Sequence, residues 1–298
     1  MIGLILALLT SVLLGAANVI LRRVVVRTNE TLGPTMITIF LGTIFLALPV
    51  FITGEAKELT TISWLAAGSL AGAGIIHLAI GRMLAFTGFR LIGANRTAPI
   101  LNSSILIATL IGIFLFGEPL TISLVLAIVL IIGGIIFIST TGGDGSKKTG
   151  MPETSSPKGL ISAFSAMLCW SIAPILVKIG LNEAVPPLVA TLISHVAASA
   201  IGISLFHPRN SENLRQLDRT SMALLTMAAA ITSVAQLLRY IALDLSPVSL
   251  AVPLSSISSL FTLPFSFLIN RKIESFNLKI IIGVVAVTIG VFFIFLAA

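Results

Sequence analysis

The sequence predicts an all-α integral membrane protein with ten transmembrane helices arranged as two inverted five-helix repeats. Charged residues make up only 10% of the 298 residues and hydrophobic ones 56%, against roughly 25% charged in an ordinary soluble domain. Charge-poor apolar runs of about 20 residues, enough helix to cross roughly 30 Å of hydrocarbon, occur ten times. The runs before and after a central hydrophilic stretch also repeat one another.

The first run, Ile2–Leu21, lacks the basic leader and small-residue cleavage site of a signal peptide and is followed by further spans, so it counts as a membrane helix. Met36–Ile52 is the second and Ile62–Gly81 the third; with no strong breaker after Gly81, that helix is expected to run on through Phe86. Thr97–Phe116 and Leu120–Thr140 complete the first repeat, residues 1–140. Residues 141–158, TGGDGSKKTGMPETSSPK, hold too little apolar surface to order themselves and read as a solvated linker. The second repeat, 159–298, holds Gly159–Val177, Leu188–Phe206, Thr220–Leu238 (continuing through Leu243), Val248–Ile269 and Phe276–Ala298.

A shift of 156 lays Gly3-Leu4-Ile5 on Gly159-Leu160-Ile161, Arg22 on Lys178 and Gly134 on Gly290. A shift of 157 lays Arg82 on Arg239, and one of 154 lays Pro99 on Pro253 and Leu106 on Leu260. Five spans per half is an odd number, so the second half enters the membrane upside down, as in many transporters.

The net charge of +7 does not point to nucleic acid, because the basic residues are scattered in short clusters between apolar runs and form no basic domain. The single cysteine, Cys169, excludes an intrachain disulfide and reads as a small core residue. No metal-ligand spacing, nucleophile elbow, phosphate loop or carboxylate pair is present, so no cofactor, metal or enzymatic activity is expected.

The stretches GRMLAFTGFRLIGANRTAP (Gly81 to Pro99), IGIFLFGEPLT (Ile111 to Thr121) and LRYIALDLSPVSLAVPLSS (Leu238 to Ser256) resemble the drug/metabolite transporter superfamily in its ten-helix form with two EamA-type domains. Gly15, Asn18 and Arg22, against Trp170-Ser171, Pro174 and Lys178, resemble the opening pattern of that family. The family often has proline midway along the fourth and ninth helices, where this chain has Ile105 and Ser259. Gly117-Glu118 has Arg271-Lys272 as its counterpart in the second half. The resemblance implies secondary transport in the cell membrane by alternating access, with a small-molecule solute, the bilayer and, for a coupled transporter, a proton or ion as partners. A non-transporting membrane subunit and a membrane enzyme acting on a lipid-linked substrate are the alternatives.

Ionisable groups inside spans are costly and mark function by default. Arg82 and Arg239 occupy matched positions with more helix beyond each; snorkelling to headgroups is the other reading. Thr232, Ser233, Gln236, Arg239 and Tyr240 fall within about 120° on the eighth helix, a stripe that either packs or lines a wet cavity. Ser255, Ser259, Thr262 and Ser266 form one face of the ninth helix, while Leu101, Ile105, Ala108 and Gly112 make the equivalent face of the fourth apolar. Any cavity between them is therefore more polar on its second-half side. Asn18 and Asn102 need partners within their spans, from helices or solute alike. His77 and His195 each stand alone, and His77 is not paired with Arg82, since five residues on a regular helix turn them about 140° apart. Trp170 either packs or stacks on a solute. Pro99 and Pro253 are expected in first helical turns; deeper in a helix they would free the carbonyls of Asn95 and Ser249. Gly68-x-x-x-Gly72 is expected to mark close packing.

No Asp or Glu lies in the apolar core of any span, unlike what a proton-coupled exporter of cationic drugs would need. Arginines without carboxylates favour an anionic or zwitterionic solute such as an amino acid, exported from the cell.

Apart from Arg82, Lys178 and Arg239 within the spans, every Lys and Arg except Lys57 lies in an odd-numbered connection or, as Lys279, in the first turn of the span that follows one. The positive-inside rule then puts the odd connections in the cytoplasm and both termini outside, opposite to the usual orientation of the family. A reporter active only in the cytoplasm, fused after Lys148, is expected to be active; activity there of a reporter that works only outside would refute this orientation.

Overall fold

The computed structural model describes residues 1–28, 32–141, 156–205, 217–258, 260–262, 265 and 278–297. The linker from 142 to 155, Ser259, Ser266 and Arg271-Lys272 lie outside the described residues. Among those described, the regular elements are helices: α1 (Ile2–Thr28), α2 (Leu32–Ile52), a short 3-10 turn (Glu55–Thr60), α3 (Trp64–Ile92), α4 (Ala94–Asn102, then Ser104–Phe116 after a break at Ser103), α5 (Ile122–Thr141), α6 (Pro157–Asn182), α7 (Pro187–Leu205), α8 (Arg219–Leu245), α9 (Val248–Ser256) and α10 (Leu278–Ala297). Seven of them (α1 to α4 and α6 to α8) are long and apolar enough to cross a membrane. Shorter apolar stretches lie at Ile122–Phe137, Val248–Thr262 and Ile282–Ala297. As expected, α3 and α8 continue past their arginines, to Ile92 and Leu245.

The helices pair between repeats. α1 packs on α8 and α3 on α6, which are equivalent pairs once the halves are exchanged; α2 meets α7, α4 meets α9 and α5 meets α10, each helix meeting its own counterpart. The sequence match at a shift of 156 acquires a physical meaning at the last crossing. A methyl on Gly134 would lie 2.7 Å from Gly283 O of α10, and one on Gly290 would lie 2.9 Å from Ala127 O of α5. Small residues thus let two backbones touch where lipid offers no hydrophobic drive to associate. Gly68 does not act this way: a methyl there meets nothing within 4 Å, and one on Gly72 would make only an ordinary 3.5 Å contact with Leu176. The close approach comes at Gly74, which lies on the backbone of Ser194 in α7.

Contacts between chain ends define the two ends of the bundle. At the terminal end Gly3 lies against Ser246, and Ser63 Oγ donates to Glu183 Oε2 at 2.9 Å. At the opposite, linker end, Gly159 at the start of α6 lies against Leu91 and Ile92 at the close of α3. The largest apolar cluster fills the terminal end, with Val50, Leu70, Leu181, Val189, Leu243 and Val248 among its buried members. At the linker end, α8 is capped by Asp218, whose Oδ1 accepts Ser221 N–H at 2.9 Å; hydrogen bonds from Ser221 hold this carboxyl below its usual range.

The tight joint between α8 and α9 is closed by two charges from elsewhere. Lys178 Nζ donates to Leu243 O at 2.7 Å and Asp244 O at 3.2 Å, satisfying carbonyls that the end of α8 leaves open. Glu118 accepts Val248 N–H on Oε1 at 2.6 Å and Ser249 N–H on Oε2 at 2.7 Å, capping α9. Cation at a helix C-terminus and anion at an N-terminus is the arrangement the helix dipole favours. Gly112 makes room, since a methyl there would lie 3.0 Å from Glu118 Oε2.

Pro99 and Pro253 are each the sixth residue of their helices, past the first turn. The expectation of a first-turn site fails: the fourth helix begins at Ala94, before its apolar run, and in the ninth, which begins with its run at Val248, Pro253 stands five residues in. The lost donor falls opposite the carbonyls of Asn95 and Ser249, and each helix is interrupted four residues after its proline, at Ser103 and Ile257.

Glu118→Gln removes the charge and one of the two acceptors, and is expected to lower stability by about 2 kcal/mol, read as a fall in the melting temperature of the purified protein. Gly112→Ala should lower it in the same direction, and an unchanged midpoint in both would exclude the capping role.

Candidate functional site

A cavity of about 360 Å³ lies between α1, α2, α3, α4, α6, α8 and α9. It reaches from the middle of the bundle, where His77, Trp170, Gln236 and Arg239 lie, toward the linker end at Leu21, Thr38 and Phe89. Its volume is within the range of roughly 300–1,000 Å³ that small-molecule sites occupy. The terminal end beyond it is closed by the apolar cluster and the capped α8–α9 joint.

The repeat extends into the lining. Leu101, Asn102 and Ser104 of α4 correspond, at a shift of 154, to Ser255, Ser256 and Ser258 of α9, and all six line the cavity. Leu14 of α1 corresponds to Trp170 of α6, and Arg82 to Arg239. Because the repeats are inverted, matched residues lie at opposite depths, so Arg82 is displaced from the middle toward the linker end and Arg239 toward the terminal end. No Asp or Glu is among the lining residues. Among the described residues neither arginine makes a hydrogen bond or ion pair.

Both halves of the chain, residues 1–140 and 157–296, match the model of the EamA-like transporter family. The chain belongs to that family. It is therefore a membrane transporter of the drug/metabolite transporter superfamily, whose members are transporters rather than enzymes. One solved crystal structure of a protein aligns with 98% of this chain and 94% of its own, at a TM-score of 0.76 and 17% identity, which shows a shared fold. No curated protein matches the chain.

In this EamA-like transporter all the candidate residues except Tyr240 reach the cavity: Asn18, His77, Arg82, Asn102, Trp170, Gln236 and Arg239. His77 and Arg82 share it because residues Ile75–Gly81 form a π segment. That segment spends an extra residue per turn, so the regular-helix angle separating them does not apply. Tyr240 turns away with Ser233. Its hydroxyl donates to Ser194 Oγ at 2.8 Å, and Ser194 Oγ in turn donates to Leu70 O at 2.7 Å, a chain that ties α8 to α7 and α3. Ser233 bonds Ala229 O at 2.8 Å and faces Gly42. The stripe on α8 is thus divided, Thr232, Gln236 and Arg239 facing the cavity and the other two packing. His195 is buried and its Nδ1 lies 3.0 Å from Thr191 O, within its own helix.

The linings differ in chemistry. α8 and α9, with Ser258 just beyond, contribute Thr232, Gln236, Arg239 and three serines alongside Ala228 and Val252, whereas α3 and α4 contribute Ala85, Phe86, Phe89, Leu101 and Ile105 alongside His77, Arg82, Asn102 and Ser104. Phe86 and Phe89 carry no signal in sequence that separates a cavity wall from a core. Trp170 sets its ring edge-on to His77 at 6.1 Å between centroids, and its indole N–H is buried without an acceptor. A methyl on Gly81 would lie 2.8 Å from Trp170 Nε1, so glycine at the end of the π segment admits the indole.

Gly81→Ala is expected to cost about 1–3 kcal/mol of stability by overpacking. Adding Trp170→Phe removes Nε1, but the methyl would also lie 2.5 Å from Ile76 O of its own π segment, so the melting temperature should recover only in part. Absence of that rescue would show that the contact is not the constraint.

Proposed function

We propose that this transporter exports a small anionic or zwitterionic metabolite, such as an amino acid, by alternating access. The repeats 1–140 and 159–298 rock about the cavity, and residues 141–158 link them. The observation that carries this is two arginines in one intramembrane cavity with no carboxylate in its lining. Guanidinium is costly to bury unpaired and presents a planar fork of donors suited to carboxylate, so an anionic group on the solute completes the site. Asn18, Asn102 and Gln236 offer amides for its remaining polar atoms, and His77 and Trp170 offer rings beside it.

With the linker end in the cytoplasm, as the basic residues favour, the cavity extends toward the compartment from which an exported solute is drawn. Access from the other side requires the terminal end to open, and that end is held by apolar packing and by the Ser63–Glu183 and Tyr240–Ser194 contacts.

Arg239→Gln and Arg82→Gln, tested separately, are expected to cut solute flux in reconstituted vesicles by at least about tenfold, the scale of one lost charge-assisted contact, while the protein still inserts and accumulates. Normal flux in either variant would remove that arginine from the proposed site.

A further inference from the structure

The charge count of the cavity is unbalanced. Arg82 and Arg239 line it together, and neither has a counter-ion among the described residues. The nearby carboxylates are committed elsewhere: Glu118 to the backbone of α9 and Glu183 to Ser63. If round, a cavity of 360 Å³ is only about 9 Å across, no more than the Debye length of physiological salt. At that separation each guanidinium acts on anything bound beside the other.

A solute with one negative charge neutralises one arginine and leaves the second exposed. An amino acid with an uncharged side chain likewise brings a single carboxylate, together with an ammonium for which the lining has no partner, and so serves the pair of arginines less well than two anionic groups. A solute with two negative charges satisfies both. The inverted repeat places the arginines at opposite depths, so two anionic groups separated along the molecule match the site better than one end alone. Gln236, one helical turn before Arg239, lines the same cavity, and its amide can donate to anionic oxygens.

We infer that this cavity takes a metabolite carrying two negative charges, a dicarboxylate or a phosphomonoester, in preference to a monoanion or a zwitterion. The inference rests on the transport reading of the same cavity and narrows its substrate class.

The chain has two tryptophans. Trp64, at the start of α3, is 94% exposed and far from the cavity, so Trp64→Phe leaves Trp170 as a reporter within the site. The full-length protein with this substitution, purified into lipid nanodiscs, is titrated with succinate, glycerol 3-phosphate, lactate, alanine and phenylalanine while tryptophan emission is recorded. Succinate or glycerol 3-phosphate should change the emission saturably at concentrations at least about tenfold lower than the other three require, and the comparison of the two shows which kind of dianion is preferred. Arg82→Gln and Arg239→Gln should each bring the preferred dianion down to the level of lactate, whereas Arg82→Lys and Arg239→Lys, which keep the charge, should retain the preference. Equal or tighter binding of lactate or of either amino acid overturns the inference, as does a dianion preference that survives loss of either arginine or the failure of both dianions to change the emission. Flux of the same five solutes into vesicles separates the two readings. Transport of a zwitterion without any dianion overturns the dianion inference and leaves transport standing, whereas binding of a dianion without flux of any solute counts against transport and leaves the ligand class in place.

Discussion

A chain that turns from one membrane helix into the next leaves backbone groups open at both helix ends, so each turn must carry its own partners. In this protein that constraint is met at the α8–α9 joint by charges borrowed from both repeats: Lys178 of α6 on the carbonyls of Leu243 and Asp244, and Glu118 from beyond α4 on the amides of Val248 and Ser249. The joint fixes the angle between α8, which carries Gln236 and Arg239, and α9, which carries Ser255 and Ser256. The second-half wall of the cavity is therefore positioned by two ionic caps several residues away from it, and by Gly112, whose missing side chain leaves Glu118 its place.

The exchange of partners between the repeats explains why a cavity forms at all. Because α1 packs on α8 and α3 on α6, each repeat lends an opening helix to cover the arginine-bearing helix of the other. The α5–α10 pair, drawn together at Gly134 and Gly290, stands outside the cavity and contributes nothing to its lining. It joins the halves away from the cavity.

Much of this was legible in the sequence because it depends on length, composition and repetition. Hydrocarbon thickness fixes span length, and the shift between halves identified Arg82 with Arg239 before any coordinates. What depends on neighbours was not legible. A helical wheel gives direction without saying what lies in that direction, so Tyr240 shared a stripe with Arg239 yet bonds Ser194. The wheel also assumes regular turns, and the π segment at Ile75–Gly81 brought His77 into company with Arg82 that a regular count denies. Glu118 read as a connection residue because its partners, Val248 and Ser249, lie 130 and 131 positions away. Phe86 and Phe89 were missed because an aromatic ring against a cavity and one inside a core have the same local pattern.

The cap at Glu118 also breaks the symmetry of the molecule. Its counterpart in the second repeat, at a shift of 154, is Lys272, which cannot accept a backbone N–H. Inverted repeats with identical sequences would make the two end states mirror each other in free energy, each equally populated without solute. Here the anion that caps a helix start in one repeat has a cation as its counterpart in sequence, so the same cap is not available twice. Under the alternating-access reading proposed above, an unmatched cap of this kind gives the two end states unequal stability in the empty protein.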